Sequence, residues 1–314
     1  MGRKRSVLSA CLLLLVVLVI GAAVIWNAPT PYRSGGSLPG LARIDPPFGV
    51  RFYGVSALGR DSAWVVGDAG VVLHYDGTGW SRHDAGTTLQ LNAVCAVDPS
   101  HVWVVGSRGF AALFDGRSWR AVPTGVDREL TAVSALDPEH VWAVGWGGIV
   151  LFFDGERWST ERLDVAVLRG VHVVDRTEVW AVGDSGLLYR YDGDRWARRP
   201  SGTDMELTAV AAAPGAPQAV GLEGTILTVD GTSARVTRDG NTTFRGVARR
   251  GDSRWAVGFS KPLWMHRESL VLKASGDGPW LTVPAPEGLY PTAISVADDG
   301  SVFVAGLGGV CVAR

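Results

Sequence analysis

Residues 130–163 read LTAVSALDPEHVWAVGWGGIVLFFDGERWSTERL. Four short apolar runs alternate with turn residues: LTAVSAL, the turn DPEH, HVWAVG, a Gly-x-x-Gly step, IVLFF, an Asp-Gly pair and RWSTERL. Each run has the length of an ordinary strand. Asp-Gly is a strong hairpin signal because both residues tolerate tight-turn backbone angles. Nothing in the stretch reads as a helix.

The same unit recurs along the chain. A Val-Gly or Ala-Gly pair ends the second run at Gly67, Gly106, Gly145, Gly183, Gly221, Gly258 and Gly306, at spacings of 39, 39, 38, 38, 37 and 48 residues. A second glycine follows three residues later at Gly70, Gly109, Gly148, Gly186, Gly224 and Gly309. Asp-Gly pairs stand at Asp76, Asp115, Asp154, Asp192 and Asp230. A tryptophan follows four of them, at Trp80, Trp119, Trp158 and Trp196. Four antiparallel strands at a period near 39 form a propeller blade. The chain is therefore expected to be all-β, a seven-bladed β-propeller of four-stranded blades. The last copy, residues 292–314, ends after its third strand. Residues 40–45 (GLARID) precede the first unit, where a fourth strand would end. They are expected to complete the last blade, which removes the open edges that invite aggregation.

The N-terminus reads as a membrane signal. Arg3, Lys4 and Arg5 precede twenty uncharged residues, Val7 to Trp26. That is the length needed to cross a bilayer, with the basic end cytoplasmic. Residues 1–26 are expected to be an anchor, with cleavage after Ala23 as the alternative. Residues 27–39, rich in Pro, Gly and Ser, read as a linker, and 40–314 as the propeller. The expected location is a bacterial inner membrane with the propeller outside the cytoplasm, or the periplasm if the leader is removed.

A net charge of −1 argues against nucleic acid, whose phosphates demand a basic face. No cysteine or histidine cluster has metal spacing, and no cofactor is expected. Cys95 and Cys311 fall in non-adjacent blades and are expected to be free and buried. Ten of the thirteen tryptophans occupy two repeat slots. Trp64, Trp103, Trp142, Trp180 and Trp255 share a strand-two slot, taken by Phe303 in blade seven. Trp80, Trp119, Trp158, Trp196 and Trp280 share a strand-four slot. Both sets are expected to pack between blades. Trp26 belongs to the leader, which leaves Trp146 and Trp264 with no architectural duty. Gly183-Asp184-Ser185-Gly186 is a loop slot of the repeat, not a serine nucleophile.

Units of the form VWAVGxxGxxxxxDGxxW resemble the YVTN and BNR-like (WD40-like) propeller repeats of exported bacterial proteins. The relatives of these repeats include Ycf48-type photosystem II assembly factors and Asp-box sialidases. The resemblance covers residues 40–314 and implies the fold. The chain departs from the sialidase Asp-box, having Asp-Gly-x-x-Trp in that turn, and no arginine triad can be assigned from the sequence.

A propeller usually binds on the face that carries the strand-two-to-three and strand-four-to-one loops. The residues singled out there are Trp146, Phe259, Lys261, Trp264, Arg267, Arg169, Arg245, Arg108 and Tyr53. Arg169, Arg245 and Tyr53 open innermost strands at the channel mouth, beside Asn92, Thr131, Thr208 and Thr292. Phe259, Lys261, Trp264 and Arg267 lie in the long blade-six insert, Gly258 to Ser269. The expected function is a membrane-tethered, monomeric scaffold that binds a protein or glycan. A sialidase-like hydrolase and a purely structural envelope component are the alternatives.

Overall fold

The computed structural model describes residues 33–34, 40–45, 49–231, 233–260 and 268–313. The membrane segment 7–26, the rest of the expected linker, and Lys261, Trp264 and Arg267 lie outside the described residues. Among the described residues no helix is long and apolar enough to cross a membrane.

Seven antiparallel sheets follow one another along the chain. Blade three shows the plan. Its strands are Leu130–Asp137, His140–Gly145, Ile149–Phe153 and Trp158–Arg162, in sequential order across the sheet. The first strand of each blade packs on the first strand of the next, and the seventh returns to the first, so the ring is closed. Blade seven is composite: Tyr290–Val296, Val302–Leu307 and Gly309–Ala313 are joined by Ala42–Arg43 from the N-terminus. Ala42 pairs with Val312 and Arg43 with Cys311. Two backbone bonds flank that short ladder, from Leu41 to the Pro284 carbonyl at 3.2 Å and from Ile44 to the Val310 carbonyl at 3.0 Å.

The first glycine of each Gly-x-x-Gly step is required by close approach. Its backbone is extended, with φ near −167° at Gly67. A Cβ on Gly145 would lie 2.1 Å from the Glu129 carbonyl oxygen, and one on Gly67 2.2 Å from that of Arg51. The next residue's N–H donates to that same carbonyl, as in Trp146 to Glu129 at 2.9 Å. The step after it is left-handed. Ala69, Arg108, Ser185 and Glu223 sit there at φ 54–57°, whereas blades three and seven use Gly147 and Gly308.

The slot tryptophans pack between blades. Trp64 meets Trp119 at 5.8 Å between centroids, Trp103 meets Trp158 at 5.3 Å, and Trp142 meets Trp196 at 5.4 Å, all edge-to-face. In each pair the strand-two ring of one blade rests on the strand-four ring of the next. All five strand-two tryptophans and Phe303 are buried. Cys95 and Cys311 are both free, Cys311 at a buried position and Cys95 at an intermediate one. Burial raises the first thiol to about 11 and the second to about 12, so both stay protonated and unreactive.

Blade six departs from the repeat. It lacks the tight turn; strand two runs on to Ser260 and strand three begins at Glu268, with Phe259 paired to Ser269.

Candidate functional site

The seven innermost strands converge on a cavity of about 750 Å³ at one end of the channel. Every blade contributes to its wall. Arg51 and Tyr53 come from blade one, Asn92 from blade two, Glu129, Thr131 and Trp146 from blade three, and Arg169 from blade four. Thr208 comes from blade five, Arg245 and Phe259 from blade six, and Tyr290, Pro291, Thr292 and Leu307 from blade seven.

Two positions of the repeat build this wall. The first is the residue that opens each innermost strand. At four of the seven blades it is a clasp between blades. The Thr131 hydroxyl lies 3.1 Å from the Val144 carbonyl of its own blade and 2.6 Å from the Leu168 carbonyl of the next. Thr208 bridges Val220 and Phe244 in the same way, and Thr292 bridges Ala305 and Phe52. Asn92 reaches the Leu130 carbonyl at 2.8 Å. These polar residues satisfy inner-strand carbonyls and hold neighbours in register. The other three, Tyr53, Arg169 and Arg245, are larger and line the same cavity.

The second position is the residue after the close-approach glycine: Asp68, Ser107, Trp146, Asp184, Leu222, Phe259 and Leu307. Trp146 and Leu307 line the cavity at 49% and 41% exposure, among the few large apolar side chains left in water. Phe259 also lines it but is buried, with the Arg245 guanidinium 6.0 Å above its ring. It is therefore not the exposed anchor the insert suggested, since its strand continues and its ring is covered. Asp68 and Asp184 instead tie down the strand-one residues. Tyr53 donates to Asp68 at 3.0 Å. Arg169 lies 2.6 Å from Asp184 and 3.0 Å from Glu206.

The structure thus brings together Trp146, Tyr53, Arg169, Arg245 and Phe259. Arg108 stays on the outer rim, exposed, 3.4 Å from Asp127, and does not line the cavity. Arg51, Glu129, Tyr290 and Leu307 belong to the wall and were not among the residues singled out. Glu129 and Arg51 each stand immediately before an innermost strand, and Leu307 fills the slot of Trp146, so the repeat register could have found them.

Three arginines and a tyrosine–carboxylate pair stand around one cavity. Two carboxylates already occupy Arg169. Burial, and then the bond to Asp68, push the Tyr53 phenol above its ordinary value. Among the described residues no group of three or more His, Cys, Asp or Glu side chains could hold a metal ion.

No protein-family model matches this chain, and no curated protein matches it in sequence. Solved structures match it as folds. YCF48 bound to a D1 peptide superposes with a TM-score of 0.70 at 16% identity, covering 91% of this chain and 98% of the other. YCF48 from Cyanidioschyzon merolae gives 0.68 at 15% identity, covering 87% and 98%. Streptogramin B lyase gives 0.73 at 12% identity, covering 87% and 96%. The chain has the fold of a Ycf48-like seven-bladed propeller. At these identities the likeness is one of fold, and it spans binding proteins and an enzyme alike.

Proposed function

We propose that this propeller is a non-catalytic binding module that docks a segment of a protein partner over its channel mouth. The observation that carries this reading is the pair Trp146 and Leu307, large apolar side chains held in water on the wall of a cavity built from all seven blades. Both line one concave site, the form in which proteins take up ligands. Around them stand fixed polar groups, the usual makeup of a site that orients its ligand. YCF48 with its peptide is an instance of this fold in a peptide complex. A photo-reactive amino acid at position 307 should cross-link a partner in cells, while one at position 117, on the opposite face, should not. Equal labelling from both positions, or none from 307, would overturn the assignment.

The leader supports a further part of the reading: that Val7 to Trp26 tethers the propeller to a membrane, outside the cytoplasm. The full chain should then resist alkaline extraction from membranes, and external protease should reach the propeller in intact spheroplasts. Release into the alkaline supernatant would rule out the tether.

A further inference from the structure

We propose that the mouth holds a lysine or arginine side chain of its peptide partner between the Trp146 indole and the Glu129 carboxylate. This rests on the reading of the mouth as a peptide site and adds what that site selects.

Glu129 and Trp146 leave the rim at one point. The Trp146 N–H donates to the Glu129 carbonyl at 2.9 Å, and both side chains line the same cavity. The carboxylate is held by neutral groups. The Gln90 amide donates to Asn92 Oδ1 at 2.7 Å, which turns the Asn92 NH₂ toward Glu129 Oε1 at 3.0 Å and the Leu130 carbonyl at 2.8 Å. Such a relay fixes the carboxylate without cancelling its charge. Among the described residues no lysine, arginine or histidine nitrogen lies within 4.0 Å of it, in contrast to the paired Asp184 and Glu206.

The surrounding charges point the same way. Arg169, on the neighbouring blade, is matched by two carboxylates and does not repel a cation there. Arg51 and Arg245 stand on blades one and six, not on blade three or its immediate neighbours. Arg162 is turned to the Gly147 and Asp164 carbonyls, and neither it nor Arg128 lines the cavity. The face of an indole attracts a cation, and more so where water is displaced. An apolar side chain would use the indole but bury Glu129 unpaired, which is costly. An anion would meet Glu129 as a like charge. A cationic side chain satisfies both groups.

The test is selection from a random nonapeptide library on the immobilised full-length protein in detergent. Selected peptides should share a lysine or arginine at one position. Replacing that residue by norleucine in one such peptide should weaken binding to the unaltered protein about tenfold, the scale of a partly desolvated cation–π contact with its ion pair. Glu129→Gln, which keeps the shape and the contact to Asn92, should discriminate between the two peptides less than the unaltered protein does, the indole face alone remaining for the cation. Peptides selected without a basic preference, or a Glu129→Gln variant that discriminates as strongly as the unaltered protein, would overturn the proposal and leave the peptide site standing. Failure to select any peptide would overturn the peptide site and the proposal together.

Discussion

Trp103 is fully buried, its ring 4.8 Å from Phe153 and 5.3 Å from Trp158 of the next blade. Trp103→Ala should cost about 3–5 kcal/mol, the usual range for a deleted core aromatic. A double-mutant cycle with Trp158→Ala should return a coupling of roughly 0.5–1.5 kcal/mol. Additive losses in chemical denaturation would show that the two rings do not act across the interface. His172 fills the strand-one slot that holds Ser56 and Ser134 elsewhere. Those serines accept the Ala96 and Val173 N–H groups of the next blade. His172 instead meets the Ala212 backbone, and burial lowers its pKa below the ordinary 6.5. The unfolded chain therefore takes up this proton at a higher pH than the folded one. The stability His172 contributes is present above pH 6.5 and is lost as pH falls below it. His74 and His83 shift in the same direction, also through burial. The melting temperature should drop between about pH 7 and pH 5, and His172→Ser should make the drop shallower. An identical pH profile for the variant would remove His172 as a contributor.

At the scale of the element, the closing strand is the part whose length and importance differ most. Only Ala42 and Arg43 pair with blade seven, yet the contacts around them are many. Leu41 is buried with Trp255, Val271 and Cys311 between blades six and seven. Ile44 packs on the cluster between blades seven and one, and its carbonyl accepts the Trp80 indole N–H at 2.5 Å. Arg43 lies 2.6 Å from Asp45 and 3.0 Å from the Glu287 carbonyl, and Asp45 accepts the Val310 N–H at 3.2 Å. The strand thus pins three blades. Removing residues 40–45 should lower the melting temperature and drive association through the uncovered Gly309–Ala313 edge, read by calorimetry and light scattering. A monomeric domain that melts like the intact one would mean that the ring closes without it. This strand was legible because the seventh repeat ran out one strand short. Blade count, strand order and the packing role of the tryptophans were legible for the same reason: a strong period repeats each signal several times. The mouth was less so. The innermost-strand openings were identified as a set, but nothing in one sequence separates Thr131, which bonds two backbone carbonyls, from Arg169, which pairs with Asp184 and Glu206. That division depends on whether the side chain is short enough to reach the next blade's carbonyl. Phe259 differs because an insertion reads as a loop, whereas its own strand runs on to Ser260.

Around the whole ring, one packing slot differs. Blades five and six bury apolar side chains as the others do, among them Val220, Ile226, Phe244, Ala256 and Leu272. Blade five carries Gln218 where the other blades carry tryptophan or phenylalanine, at 1% exposure. Its amide nitrogen is 3.5 Å from the Thr228 hydroxyl, and its amide oxygen has no partner. An unsatisfied buried carbonyl costs about 1–3 kcal/mol, and the apolar area of the missing ring is lost as well. This interface should therefore be where the closed ring first opens. In native-state hydrogen exchange, amides of Ala216–Gly221 and Thr242–Arg250 should exchange through a sub-global opening that costs less than exchange in His101–Gly106. Gln218→Met, which keeps the length of the side chain and removes the orphaned carbonyl, should stabilise the protein by about 1 kcal/mol and raise protection in those two strands selectively. Protection equal around the ring, or a Gln218→Met variant less stable than the parent, would mean that the amide is satisfied in solution and that the fifth and sixth blades are held as firmly as the rest.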